Sequence, residues 1–155
     1  MSKPVSEDAT HATTLEIRDH CLCLHAQRAA RALARRFDAA FRPLGLTSGQ
    51  FSLLNALNRP EPPGMGAVAS VLGLDRTTLT AALKPLQRRG LVGIAEDPED
   101  RRGRRVGLTD EGRTLLALAV PVWREVHGAI DREVEAAEGD LRGALAALSS
   151  QGTSR

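Results

Sequence analysis

Residues 74–92 read LDRTTLTAALKPLQRRGLV, and the fold turns on whether this stretch is an ordinary amphipathic helix or one that reads DNA. Asp75 is a good N-cap, because its carboxylate can accept from the first unpaired amides, and Gly90 is a good helix stop. On a helical wheel Leu79, Leu83 and Leu86 fall on one side, with Thr77, Thr80, Ala81, Lys84 and Arg88 opposite. The second set is small, hydroxylic or cationic. A helix entering a major groove needs small residues near the bases, with donors and cations for base edges and phosphates. A solvated polar face has the same pattern, so this helix alone leaves both readings open. Pro85 removes one backbone hydrogen bond in mid-helix and predicts a bend.

The segment that follows, LVGIAEDPEDRRGRRVGLT over residues 91–109, reads as two short strands around a charged turn. Arg101, Arg102, Arg104 and Arg105 crowd around Gly103 and repel one another unless acids or phosphates balance them. Asp97, Glu99 and Asp100 supply part of that balance. A wing of this kind can slide an Arg into a narrow, negative minor groove. Upstream, a short helix over Met65–Leu72 closes at Gly73. Two short helices joined by a tight turn, with a hairpin after them, make a winged helix-turn-helix.

The flanks extend this picture. RPEPPG at 59–64 is a loop. TSGQ at 47–50 is a capping box, with Thr47 as cap and Gln50 reaching back, and its helix carries Phe51, Leu54 and Leu57. Before it, a single long helix is expected over about residues 15–43. Its apolar stripe is Leu22, Ala26, Ala29, Leu33, Phe37, Ala40 and Leu44, with Arg28, Arg31, Arg35 and Arg36 alongside. After the wing, Thr109 caps a second long helix, and Asp110 and Glu111 suit the positive end of its dipole. Its apolar positions are Leu115, Ala119, Val122, Val126, Ala129 and Val134, and Pro121 can kink it. A last short helix carries Leu141, Leu145 and Leu148. The expected architecture is mainly α with a small β-hairpin wing. A polar disordered leader occupies 1–14, dimerisation helices 15–46 and 109–148, a DNA-binding lobe 47–108, and a flexible tail 149–155.

Composition is consistent with this. The chain has 155 residues, 42% of them apolar and dominated by the helix formers Ala and Leu, enough for a real core in one domain, or in one domain plus dimerising arms. The net charge of +2 says little by itself, but the arginines cluster locally. Two cysteines at CxC spacing are no disulfide framework. The N-terminus lacks the basic start and apolar core of a signal peptide. The longest apolar run, residues 115–123, is too short to span a bilayer. The expected location is the cytoplasm, without membrane association.

Three stretches together resemble the MarR-type regulators. The DRR of 100–102, five residues, then the LTxxG of 108–112 resembles their wing signature. LDRTTLTAALKPLQRRGLV resembles their recognition helix and its exit, and PLGLTSGQFSLLNAL their second helix. The similarity spans roughly residues 20–148. It implies an obligate, triangular homodimer whose first and last helices interlock, on a near-palindromic operator. It implies Arg102 in the minor groove, Asp100 as the acid holding it, and Arg104 and Arg105 in support or on phosphates. Arg76, Thr77, Thr78, Thr80, Lys84 and Arg88 complete the expected DNA-binding set.

HCLCLH at 20–25 holds both cysteines and two of the four histidines. In a continuous helix, residues i and i+2 point about 200° apart, so Cys21 and Cys23 could neither share a metal nor form a disulfide. His20 with Cys23 and Cys21 with His25 offer two ligands each, on different faces, and no metal site is expected. The position of Cys23 is similar to that of the reactive cysteine in the organic-hydroperoxide-sensing branch of the family, which makes a thiol switch the alternative trigger. Against it, the chain has no Tyr to hold the thiol and no C-terminal Cys to resolve it. The resemblance implies instead a small aromatic or phenolic acid binding among the first, second and fifth helices. Cys23, His25, Phe51, Trp123 and His127 are the candidate contacts, with Arg28 or Arg31 as the cation. No nucleophile–base pair, phosphate loop or carboxylate dyad is present, and neither an enzyme nor a cofactor is expected. The function that follows is a dimeric DNA-binding regulator, a repressor released by its ligand.

Overall fold

The structure, a computed structural model, describes residues 9–135 and 139–150. Its elements are α1 (His11–His20), α2 (Leu22–Phe41), a 3-10 turn (Arg42–Leu44), α3 (Ser48–Leu57), α4 (Met65–Leu72), α5 (Arg76–Arg88), β1 (Val92–Glu96), β2 (Arg104–Leu108), α6 (Asp110–Glu135) and α7 (Leu141–Ser150).

Local chemistry sets the ends of the helices in the lobe. Thr47 accepts from the Gln50 amide at 3.2 Å while the Gln50 side chain accepts from the Thr47 amide, closing both halves of the capping box. Asp75 caps α5 through the Thr78 amide at 2.8 Å. Gly73 takes φ 63°, where a side chain would be strained, and lets the Leu74 amide reach back to the Ala69 carbonyl at 2.9 Å. The same closure recurs after the 3-10 turn and after α5, and the chain reverses tightly at each.

The core lies between α2, α3, α4, α5 and the first half of α6. Phe41, Leu54, Val68, Leu79, Leu86 and Val106 are fully buried within it. Burying side chains of this size contributes roughly 1.5–3 kcal/mol apiece. The hairpin pairs Val92 with Leu108 through to Glu96 with Arg104, antiparallel. The 59–64 loop is held against the outer edge of β2, where the Val106 amide bonds the Pro63 carbonyl at 3.0 Å and Gly64 bridges Arg105. The hairpin root is thereby tied to the start of α4. At the hairpin exit, Thr109 Oγ1 donates to the Gly90 carbonyl at 2.6 Å and accepts from the Gly112 amide at 3.0 Å. A Cβ on Gly112 would lie 2.1 Å from the Leu91 carbonyl oxygen, which is why LTxxG ends in glycine.

Several expectations change. The first long helix is two helices, interrupted at Cys21, which is extended (φ −71°, ψ 104°). His20 Nδ1 lies 2.9 Å from the Glu16 carbonyl and His25 Nε2 lies 3.1 Å from the Asp19 carbonyl. With its proton on that nitrogen, His25 donates to a carbonyl in the last turn of α1, where intrahelical partners run out, and His20 adds a side-chain donor to the Glu16 carbonyl one turn back. HCLCLH is thus a helix junction closed by histidines. Regular-helix spacing does not apply to Cys21 and Cys23, which straddle it. The leader is helical from His11, and α7 runs to Ser150, two residues into the expected tail. Phe41, Leu116 and Ile130 are buried although the predicted stripes omitted them, while Leu22 and Leu33 on the first stripe are exposed. Residues 1–8 and 151–155 of the leader and tail lie outside the described residues.

Candidate nucleic-acid interface

Leu79, Leu83 and Leu86 anchor α5 in the core, so its opposite face must be outward. There Arg76, Thr77, Thr80, Ala81 and Lys84 line one shallow groove, with the exposed Arg88 one turn beyond. Two expected contacts have competing partners. Thr78 Oγ1 donates to Asp75 at 2.6 Å, so its hydroxyl proton is committed to the cap. That bond and the Thr78 amide hold the Asp75 carboxyl below its ordinary range. Thr80 Oγ1 donates to the Arg76 carbonyl at 2.8 Å and keeps only its acceptor lone pairs for a base edge.

In the wing, Asp100 meets Arg102 through the backbone. Asp100 Oδ1 accepts from the backbone amide of Arg102 at 3.0 Å, shaping the turn rather than holding the guanidinium. The acid–guanidinium pairs involve Arg104 and Arg105 instead. Arg105 Nε lies 3.2 Å from Asp97 Oδ1 at an angle poor for a hydrogen bond, so the contact is chiefly an ion pair. Its Nη1 donates to the Pro62 carbonyl at 3.3 Å. The Glu99 amide first, then Arg105, holds the Asp97 carboxyl below its ordinary range. Arg104 donates to the Gly103 carbonyl at 2.9 Å and lies 3.8 Å from Glu96. Among the described residues Arg101 and Arg102 make no ion pair, and both are exposed at the tip. Arg101 is outside the expected DNA-binding set and outside the strand register, which places Arg104 opposite Glu96.

Residues of α2, α3, α4 and α6 line a half-open cavity of about 460 Å³. Phe37, Phe41, Phe51 and Trp123 form its aromatic wall, with centroids of successive rings 5.9, 4.8 and 6.5 Å apart. Ser48, Ser52 and Asn55 give it a polar edge, Arg124 a cation, and Val71 and Leu72 a floor from the end of α4. Of the expected ligand contacts, Phe51 and Trp123 line it. His127 lies behind Trp123, the two rings tilted with centroids 4.6 Å apart, and its Nδ1 is 3.1 Å from Asp131. Asp131 also takes Arg142 of α7. Arg142 first, then His127, holds the Asp131 carboxyl low. Cys23 and His25 do not line the cavity. Cys23 is an exposed free thiol accepting from Gln27 Nε2 at 3.2 Å, and His25 closes the α1 junction. Arg28 and Arg31 lie with His25 and Arg35 in a separate groove, so the cation at the cavity is Arg124. Among the described residues no three His, Cys, Asp or Glu side chains could hold a metal ion, and no described helix is long and apolar enough to cross a membrane.

Comparison with known proteins agrees with this geometry. The MarR family's sequence profile matches residues 44–103. The transcriptional activatory protein BadR of Rhodopseudomonas palustris is 30% identical over 132 residues, covering 83% of this chain and 75% of BadR. The regulator MosR of M. tuberculosis, solved in complex with DNA, superposes with a TM-score of 0.73 at 38% identity, covering 86% of this chain and 96% of that one. CouR from Rhodococcus jostii RHA1 bound to p-coumaroyl-CoA superposes with a TM-score of 0.69 at 26% identity, covering 84% and 93%. CouR, described as a transcriptional repressor, has also been solved on a 23-mer DNA duplex, at 29% identity. These relatives are transcription regulators, not enzymes. A winged helix-turn-helix with a wing signature of this spacing, matched in sequence and in structure, places the chain in the MarR family of transcriptional regulators.

Proposed function

We propose that the protein is a homodimeric repressor, bound to a near-palindromic operator and released by a small aromatic or phenolic acid. Arg76, Thr77, Lys84 and Arg88 supply the major-groove contacts, with Thr80 as an acceptor. Arg101 and Arg102 supply the wing contacts, Arg102 in the minor groove. Two-fold symmetry requires half-sites about one helical turn apart, and affinity falls steeply with salt as phosphates are neutralised. CouR, a repressor solved with an aromatic acyl thioester, supports both the mode of regulation and the ligand class, whereas BadR shows that relatives also activate.

One observation carries the ligand reading. The cavity joins four aromatic side chains, a polar edge and a guanidinium, and its floor, Val71 and Leu72, belongs to the helix that turns at Gly73 into the reading helix. A ring seated there pushes directly on the helix-turn-helix. Trp123 is the only tryptophan and lines the cavity, so its fluorescence reports occupancy. The test titrates the protein with benzoate, 4-hydroxybenzoate and 4-hydroxycinnamate, with benzamide as the neutral control. Acids should quench Trp123 and release operator DNA, and Arg124→Ala should weaken the acids by about tenfold or more while leaving the amide unchanged. Equal binding of acid and amide to wild type overturns the ligand class.

A second reading follows from Cys23, exposed in the first turn of α2 and accepting from Gln27. Oxidation by an organic hydroperoxide to the sulfenic acid would make it the trigger. Operator release by cumene hydroperoxide in wild type, lost in Cys23→Ser, selects this reading. Retention in both excludes it.

A further inference from the structure

The exit of the reading helix carries two adjacent arginines, and they point apart. Arg88 lies on the outward face. Arg89, the C-cap, falls about 140° round the wheel from the middle of the reading face. Its Nη1 donates to the Gly45 carbonyl at 2.8 Å, forty-four residues away in sequence. Gly45 is the elbow between the α2 arm and the lobe. Its amide is used by the Arg42 carbonyl at 3.0 Å, and the next amide, Leu46, by Phe41. Asp38 of α2 clamps the other side of this elbow, accepting from the Ser48 amide at 2.6 Å. Phe41 and Ser48, which flank the elbow, are also cavity wall. The base of the reading helix is therefore fastened to the point where arm meets lobe.

We propose that Arg89 is a positioning residue for operator recognition. By holding the Gly45 carbonyl it fixes the angle between reading helix and arm, and through the arms the separation of the two reading helices in the dimer. The proposal rests on the dimeric DNA-binding reading above. It makes Arg89 a determinant of half-site spacing rather than of base sequence or phosphate contact. Arg89→Lys keeps one donor and the charge, and serves as the conservative variant.

The experiment selects duplexes from a random library with the full wild-type chain. Affinity is then measured on the selected operator and on versions with one base pair added or removed between half-sites. Wild type should prefer its own spacing by at least about tenfold. Arg89→Ala should reduce that preference to about threefold or less with an unchanged salt slope, and Arg89→Lys should restore most of it. Arg88→Ala should weaken all spacings alike and lower the slope by about one phosphate. An Arg89→Ala variant that keeps the wild-type spacing preference overturns the proposal, as does one that only loses salt slope, which would make Arg89 a phosphate contact. A wild type that selects no duplex overturns the DNA reading instead. The latch is then decided by spin-label distances between Arg31→Cys and Gln87→Cys within one chain, in a Cys21→Ser, Cys23→Ser background diluted with unlabelled chain. A distribution clearly broadened by Arg89→Ala supports it, and an unchanged width overturns it.

Discussion

Gly112 shows how much a single residue decides. A methyl group there meets the Leu91 carbonyl oxygen at 2.1 Å, and that carbonyl is already fixed by the Thr109 amide at 3.1 Å. Neither side can give way without opening the junction of wing and α6. Gly112→Ala should therefore cost about 2–3 kcal/mol, read as a lower urea midpoint at constant slope. A wild-type midpoint would show that the junction yields. Gly66 is the opposite case. It lies inside α4 with nothing within 4 Å of a Cβ, so Gly66→Ala should stabilise by about 0.5–1 kcal/mol in the same assay. Both glycines are equally visible in the sequence, yet only a carbonyl twenty-one residues away from Gly112 tells them apart. The same limit applies to Arg88 and Arg89. Spacing shows which side of a helix a residue occupies, but the partner waiting on that side comes from a distant turn.

At the scale of elements, short-range rules carried the lobe. The capping box, the Asp75 cap, the closing glycines and the register-setting turn all act within a few residues, and each is found where the sequence places it. The α1–α2 break was not legible, because no Pro or Gly marks it and its closing groups are histidine rings reaching along the chain. The cavity was legible only in part, since Phe51 and Trp123 suggested aromatic walls while Arg124 and the α4 floor depend on how four helices meet. The wing also depends on a pairing that the linear signature hides. Asp97 is held low by the Glu99 amide and by Arg105, which ties the hairpin to Pro62. A carboxyl with a depressed folded value adds stability above its unfolded value, near pH 4, and loses that stability as pH falls through the folded value. The thermal midpoint of Asp97→Asn should lie below wild type at pH 6, and the gap should close toward pH 3. A gap that is constant across this range removes the ionised carboxylate from the account. Arg102→Ala, by contrast, should leave the midpoint alone and weaken DNA binding by about tenfold or more, since its guanidinium makes no ion pair among the described residues.

For the whole molecule, the decisive fact is apolar surface that one chain does not cover. Leu22 is 70% exposed, Ile17 57% and Leu148 62%, with Leu141 and Leu145 beside Leu148 along α7. Apolar patches of this kind on the two end elements, remote from the reading helix, suit burial against a second copy. The two long arm helices are joined to each other within one chain by the bidentate pair of Arg36 on α2 with Glu133 on α6, at 2.7 and 2.8 Å. Leu145→Asp puts a charge into the proposed interface without touching the lobe. It should raise the dimer dissociation constant by about 100-fold or more in sedimentation equilibrium, with unchanged helical circular dichroism. Because a two-fold operator rewards only a protein that presents two reading heads at once, the same variant should bind an isolated half-site like wild type and lose most of its advantage on the full site. A Leu145→Asp protein that remains dimeric would move the interface away from α7. One that is monomeric yet keeps full-operator affinity would show that the lobes recognise DNA independently, and the coupling from cavity to operator would then have to act within a single chain.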